Sequence, residues 1–119
     1  MKIIETEKAP KAIGTYSQAT KVNGFLFISG QIPLDPITME LVEGIENQIN
    51  QVFENIRQIL KADGMDFSNV VKLSVLLDDL NHFEKVNEIM TSIFSKPYPA
   101  RAAYEAVSYT HLTLPTSRS

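Results

Sequence analysis

Apolar and polar residues alternate in the first third of the chain, then shift to a helical repeat. "YSQATKV" and "NGFLFISGQIP" flank the pair Asn23-Gly24, which reads as a two-residue hairpin turn because both residues tolerate positive φ. On the second strand Phe25, Phe27 and Ser29 share one face, and Leu26, Ile28 and Gly30 share the other. "KIIETE" supplies a short first strand, and Pro33 and Pro36 end the hairpin in a loop. From Ile45 to Ala62 the period becomes helical, with Ile45, Ile49, Val52, Phe53, Ile56, Ile59 and Leu60 on one stripe and Glu54, Arg57, Gln58 and Lys61 opposite.

Gly64 in "ADGMD" stops that helix. "NVVKLSVLLDD" predicts a strand with Val71, Leu73, Val75 and Leu77 on one side and Lys72 and Ser74 on the other. Asn81 and Glu84 have the spacing of a capping box, ahead of a helix whose buried stripe is Phe83, Val86, Met90, Ile93 and Phe94. "KPYPARAAYEA" is extended again. Three strands, a helix, a strand, a helix and a strand imply an α+β layer fold: a mostly antiparallel sheet with two helices on one face.

A chain of 119 residues makes one domain with a small core, which oligomerisation would help to complete. Apolar residues are 44% and charged residues 21%, ordinary for a globular protein. With no cysteine, a disulfide framework, a thiolate metal site and a thiol nucleophile are all excluded. The start "MKIIETEKAP" has no secretory pattern, and no apolar run reaches the ~18 to 20 residues of a membrane span, so a cytoplasmic protein is expected. Net charge is −3 and the basic residues are scattered, which argues against nucleic acid as a partner.

Phosphate-loop, dinucleotide, zinc-protease and serine-hydrolase motifs are absent, and His82 and His111 do not make a paired metal site. Chemistry must come from Arg, Asn, Tyr, Ser, carboxylates and main-chain groups. Arg101 shares a strand face with Ala103 and Glu105, so small neighbours leave room beside its guanidinium. That suits a substrate carboxylate held by two parallel hydrogen bonds; the alternatives are an ion pair with Glu105 or a plain surface charge. Asn87 falls on or beside an apolar stripe, where a buried amide would either bridge to a strand or orient a ligand. In "FISGQIP", Ser29 and Gly30 end a strand and either expose main-chain N–H groups to an anion or meet a backbone requirement. Tyr16, in "GTYSQA", is a pocket wall or a packing contact.

"APKAIGTYSQA", "FISGQIPLDP", "NQVFENIRQIL", "VVKLSVLLDDLNHFEKVNEI" and "YPARAAYE" together resemble the RidA-like, or YjgF, family of reactive intermediate deaminases, in that family's order and spacing. The subgroup most resembled acts on 2-iminobutanoate and 2-iminopropanoate. The resemblance implies a chorismate-mutase-like sandwich over residues 1–106, assembled as a homotrimer with clefts between subunits. It implies that Arg101 pairs with the substrate carboxylate, and that Tyr16, Ser29, Gly30, Asn87 and Ala103 line the pocket. Arg101 of one chain would then face Tyr16 or Asn87 of a neighbour. Ala103 stands where many members have cysteine, so a thiol is not required and the main-chain carbonyl is left to orient water. The implied reaction is hydrolysis of an imino or enamino acid to a 2-keto acid and ammonia, with no metal or organic cofactor.

The resemblance ends after "YEA". Family members continue with an "LPKD"-like turn and a "VEIEAIA"-like strand bearing a water-handling glutamate; here "VSYTHLTLPTSRS" follows, and no acidic residue occurs after Glu105. Residues 107–119 are expected to be an artefactual, non-family tail, like translated adapter or frame-shifted sequence. Glu105 is a poor substitute for the glutamate, since four strand residues place it ~13 Å along from Arg101. The expectation is a deaminase impaired in this chain. Two rival readings are an endoribonuclease or translation inhibitor, and a non-enzymatic small-carboxylate-binding or chaperone-like protein.

Overall fold

A computed structural model describes residues 1–105, in two compact units, Met1–Asn69 and a second beginning at Val70. The expected domain boundary at 106 and the tail 107–119 lie outside the described residues.

In the first unit, β1 (Lys2–Ile4), β2 (Ala19–Val22) and β3 (Phe25–Ile28) form an antiparallel sheet in that order. The hairpin falls where the Asn-Gly pair puts it. Val22 pairs with Phe25, and Asn23 and Gly24 take φ of 51° and 81°, the positive values that a twist-matched two-residue turn needs. Helix α1 (Ile45–Ala62) has the expected bounds. It is stopped by Gly64, at φ 71°, whose N–H donates to the Lys61 carbonyl. Pleating sends Ile4, Ala19, Leu26 and Ile28 to the inner face, where they pack with Ala9 and the fully buried Ile59 of α1. Lys21, on the same face, reaches the Asp63 carboxylate at 2.8 Å just past the end of α1. Phe53 meets Phe67 edge-to-face at 6.3 Å between centroids.

Two buried amides hold the irregular parts of this unit. The Gln18 Oε1 accepts from the Thr6 N–H, and its Nε2 donates to the carbonyls of Thr6, Ala9 and Pro10. Asn55, fully buried on α1, accepts from Gln51 and donates to the carbonyls of Ile32 and Leu34, pinning the loop after β3. The outer face of the sheet carries Ile3, Val22, Phe25 and Phe27, all exposed.

The second unit is a strand–helix–strand motif. β4 (Lys72–Leu77) and β5 (Ala100–Glu105) pair in parallel, from Lys72 with Ala100 to Leu77 with Glu105. Parallel neighbours need a crossover, and α2 (Phe83–Ile93) supplies it. Leu77, Val86, Ile89, Met90 and Phe94 are buried. The capping box expected from Asn81 and Glu84 does not form. Instead Asp79 caps a 3-10 turn over Leu80–His82 by accepting from the Asn81 N–H at 2.8 Å, and α2 begins directly from that turn. The tight turn takes up the orphan donors one residue pair earlier than a capping box would.

Candidate active site

Arg101 is the second residue of β5 and pairs with Leu73 of β4. In a pleated strand its side chain shares a face with Ala103 and Glu105, as the sequence predicts. On that face Arg101 meets α2. The guanidinium carbon stands 4.4 Å from the centroid of the Phe83 ring. Its Nη1 donates to Asn87 Oδ1 at 2.5 Å and lies 3.5 Å from Met90 Sδ. Phe83, Asn87 and Met90 are spaced four and three residues apart, so they form one row along the helix. Beside this cluster is an open cleft of about 380 Å³ lined by Asn87, Met90, Thr91, Tyr98, Pro99 and Arg101.

One sequence expectation changes here. Asn87 is exposed rather than buried, so the need to satisfy a buried amide is not what fixes it; its oxygen is fixed by Arg101. That pairing occurs within one chain. The alternative of an Arg101–Glu105 ion pair is not made. Glu105 Oε1 accepts from the Leu80 N–H at 3.2 Å, tying the end of β5 to the turn before α2. Among the described residues, Arg101 Nε and Nη2 make no hydrogen bond.

Ala103 is half-buried opposite Val75. Tyr16, Ser29 and Gly30 belong to the first unit. Tyr16 is exposed, and its hydroxyl oxygen accepts from the Ile13 N–H at 3.4 Å. Ser29 is fixed at both ends: its Oγ donates to the Ser17 carbonyl at 2.6 Å and its N–H to the Gln18 carbonyl at 3.1 Å. Gly30 is exposed, and a Cβ there would meet nothing within 4 Å, so nothing among the described residues demands glycine. Sequence reasoning placed Phe83 on a buried stripe and passed over its role as the platform for Arg101. It also missed Tyr98 and Thr91, which carried no motif. The signal available was the spacing of Phe83 and Asn87, one helical turn apart.

Among the described residues no group of three or more His, Asp or Glu side chains is placed to hold a metal ion. No helix among them is long and apolar enough to cross a membrane.

Comparison with known proteins places this arrangement in a context. The profile of the family described as Endoribonuclease L-PSP matches residues 6–112. A RutC family protein of Pyrococcus horikoshii is 52% identical over 104 residues, covering 87% of this chain and 82% of that protein. The 2-iminobutanoate/2-iminopropanoate deaminase of Mus musculus is 50% identical over 108 residues, covering 90% of this chain and 80% of that protein. The crystal structure of RidA from an Antarctic Psychrobacter superposes with a TM-score of 0.88 at 50% identity, covering 91% of this chain and 88% of that one. The α+β fold expected from the sequence is the fold of that structure.

Proposed function

The chain belongs to the Endoribonuclease L-PSP family, in which RidA also falls, and from that premise we propose that it hydrolyses 2-imino and 2-enamino acids to 2-keto acids and ammonia. The observation that carries this reading is the Arg101 guanidinium, braced along α2 beside an open cleft that it lines, its Nε and Nη2 without partners among the described residues, in a chain half identical to a 2-iminobutanoate/2-iminopropanoate deaminase. The substrate carboxylate takes those two donors as a charge-assisted pair, roughly twice as strong as neutral hydrogen bonds. Holding the acid end fixes C2, the carbon of the C=N bond. Water adds to C2 and one of its protons passes to the nitrogen, giving a carbinolamine; the C2 hydroxyl then gives its remaining proton to the nitrogen as the C–N bond breaks, so that ammonia leaves and the ketone forms. Because the imine is already electrophilic, positioning supplies most of the acceleration. In this reading Ala103 orients the water through its main-chain carbonyl.

The protein is further proposed to be a cytoplasmic homotrimer, with Tyr16, Ser29 and Gly30 completing each pocket from a neighbouring copy. The exposed row of Ile3, Val22, Phe25 and Phe27 supports this, because a contiguous apolar sheet face is costly to leave in water. The test is ammonia release from enzymatically generated 2-iminobutanoate, together with light scattering. Arg101→Ala should abolish turnover and leave the trimer intact, whereas Phe27→Glu should dissociate the trimer and remove turnover with it. Full activity in Arg101→Ala would overturn the assignment. The family's description favours one other reading, cleavage of RNA. Salt-dependent RNA binding by a chain of net charge −3 would support that reading in place of deamination.

A further inference from the structure

We infer that Phe83 is a positioning residue that steadies the Arg101 guanidinium so that its Nε–Nη2 edge, left open by the Asn87 and Met90 contacts at Nη1, meets the carboxylate of the substrate. The inference rests on the reading of Arg101 as the carboxylate anchor and adds to it which edge binds and what enforces that edge.

A guanidinium offers two pairs of parallel donors, one along the side from Nε to Nη2 and one across the end from Nη1 to Nη2. Here the end pair is spent. Nη1 has two hydrogens, and it has two acceptors: Asn87 Oδ1 at 2.5 Å and Met90 Sδ at 3.5 Å. A carboxylate approaching end-on would have to displace one of these two acceptors, while one approaching side-on meets two donors without partners among the described residues. The same chain shows the side mode elsewhere. Arg57 holds Glu54 through Nε at 3.0 Å and through Nη2 at 2.8 and 3.0 Å.

Hydrogen bonds at Nη1 alone leave the guanidinium plane free to roll about its long axis. Phe83 removes that freedom. Its ring lies 4.4 Å from the guanidinium carbon, within cation–π range, and it sits one turn before Asn87 on the same helical row. The cation is therefore held against an aromatic ring, and one nitrogen is tied down. Among the described residues the side edge is left as the open pair of donors, on a side chain that lines the cleft. A leucine at position 83 would fill similar space without the negative ring face, so it separates orientation from simple packing.

The test uses the full chain and 2-oxobutyrate, the keto-acid product, as probe. In the wild type, the Arg101 Hδ protons should be shifted upfield by the Phe83 ring, and adding 2-oxobutyrate should move the Arg101 Nε–Hε resonance. Phe83→Leu should lose the upfield shift and weaken 2-oxobutyrate binding about 2- to 30-fold, the range of a cation–π contact. Phe83→Tyr should bind within about twofold of wild type, because it keeps the ring face. In turnover, Phe83→Leu should raise KM in the same proportion while kcat changes little. Wild-type affinity in Phe83→Leu, with binding lost in Arg101→Ala, would overturn this inference and leave the anchor reading standing. Undiminished binding in Arg101→Ala would overturn both. Failure of any Phe83 variant to fold leaves the wild-type measurement decisive: a bound carboxylate seated on Nη1, with the Nε–Hε resonance unmoved, overturns the inference.

Discussion

Asn87 and Arg101 are partners within one chain: the Asn87 Oδ1 accepts from Arg101 Nη1 at 2.5 Å, across a gap of fourteen residues between helix and strand. The contact makes the side-chain oxygen of an exposed amide part of the anchor. An amide oxygen is the right strength for that task. It orients the cation without neutralising it, so in the proposed reaction the positive charge is kept for the substrate.

Asn87→Asp converts this relation into competition. A carboxylate at that position pairs with Arg101 and offsets its charge. The expected outcome is weaker binding of 2-oxobutyrate, by about tenfold for an interaction of roughly 1.4 kcal/mol, with the thermal midpoint unchanged or raised. Titration calorimetry and a melting curve on the same sample check both halves.

Arg101→Lys keeps the charge and loses the fork. An ammonium cannot bridge two carboxylate oxygens in a plane with paired N–H groups, and it loses the planar cation held over Phe83. Turnover of 2-iminobutanoate should fall well below wild type, roughly 10- to 100-fold if one to two charge-assisted bonds are lost. Steady-state kinetics on Arg101→Lys beside Arg101→Ala separates the value of charge from that of geometry.

Asn55→Ala tests the loop anchor in the first unit. The side chain is fully buried and donates to the carbonyls of Ile32 and Leu34. Removing it strands those acceptors and leaves a small void, so a loss of about 2 to 4 kcal/mol in unfolding free energy is expected. Urea unfolding measures it, and Asn55→Asp should also destabilise, because a buried carboxylate would face the Ile32 and Leu34 carbonyls with no hydrogen to donate.

Glu54 gives a pH signature. Partial desolvation raises its carboxyl, but hydrogen bonds from Gln58 and Arg57 and the charges of Arg57 and Lys61 outweigh that, and its pKa lies below the ordinary 4.5. A carboxyl lowered by folding contributes stability above its unfolded value, and that contribution disappears as pH falls through the folded value. Glu54→Gln should therefore lose less stability than wild type between neutral pH and pH ~3, by a small margin, because the pair is nearly half exposed. Melting curves along a pH series compare the two slopes.

The hairpin and α1 were legible because each is decided locally. Asn23-Gly24 fixes the turn by backbone conformation, and the stripe from Ile45 to Leu60 fixes the helix by period. Arg101 was legible as a candidate because small residues flank it. Its partners were not, because strand spacing tells which face Arg101 takes and not which helix row covers that face. Asn81 and Glu84 had the spacing of a cap, but Asp79 lay closer to the turn that formed. Asn55 was overlooked because amides are usually solvated. Its position three after Val52 and four before Ile59 sits inside the apolar stripe, and that could have marked it as buried.

The double fastening of the segment between Pro10 and Ser17 has a practical consequence. Gln18 grips the Pro10 carbonyl and Ser29 grips the Ser17 carbonyl, so both ends of the intervening stretch are secured to the sheet by groups that do not depend on its own side chains. Residues 11–16, Tyr16 among them, therefore form an exchangeable cassette. Sequences from relatives can be spliced in there to vary this loop while the framework beneath keeps its shape.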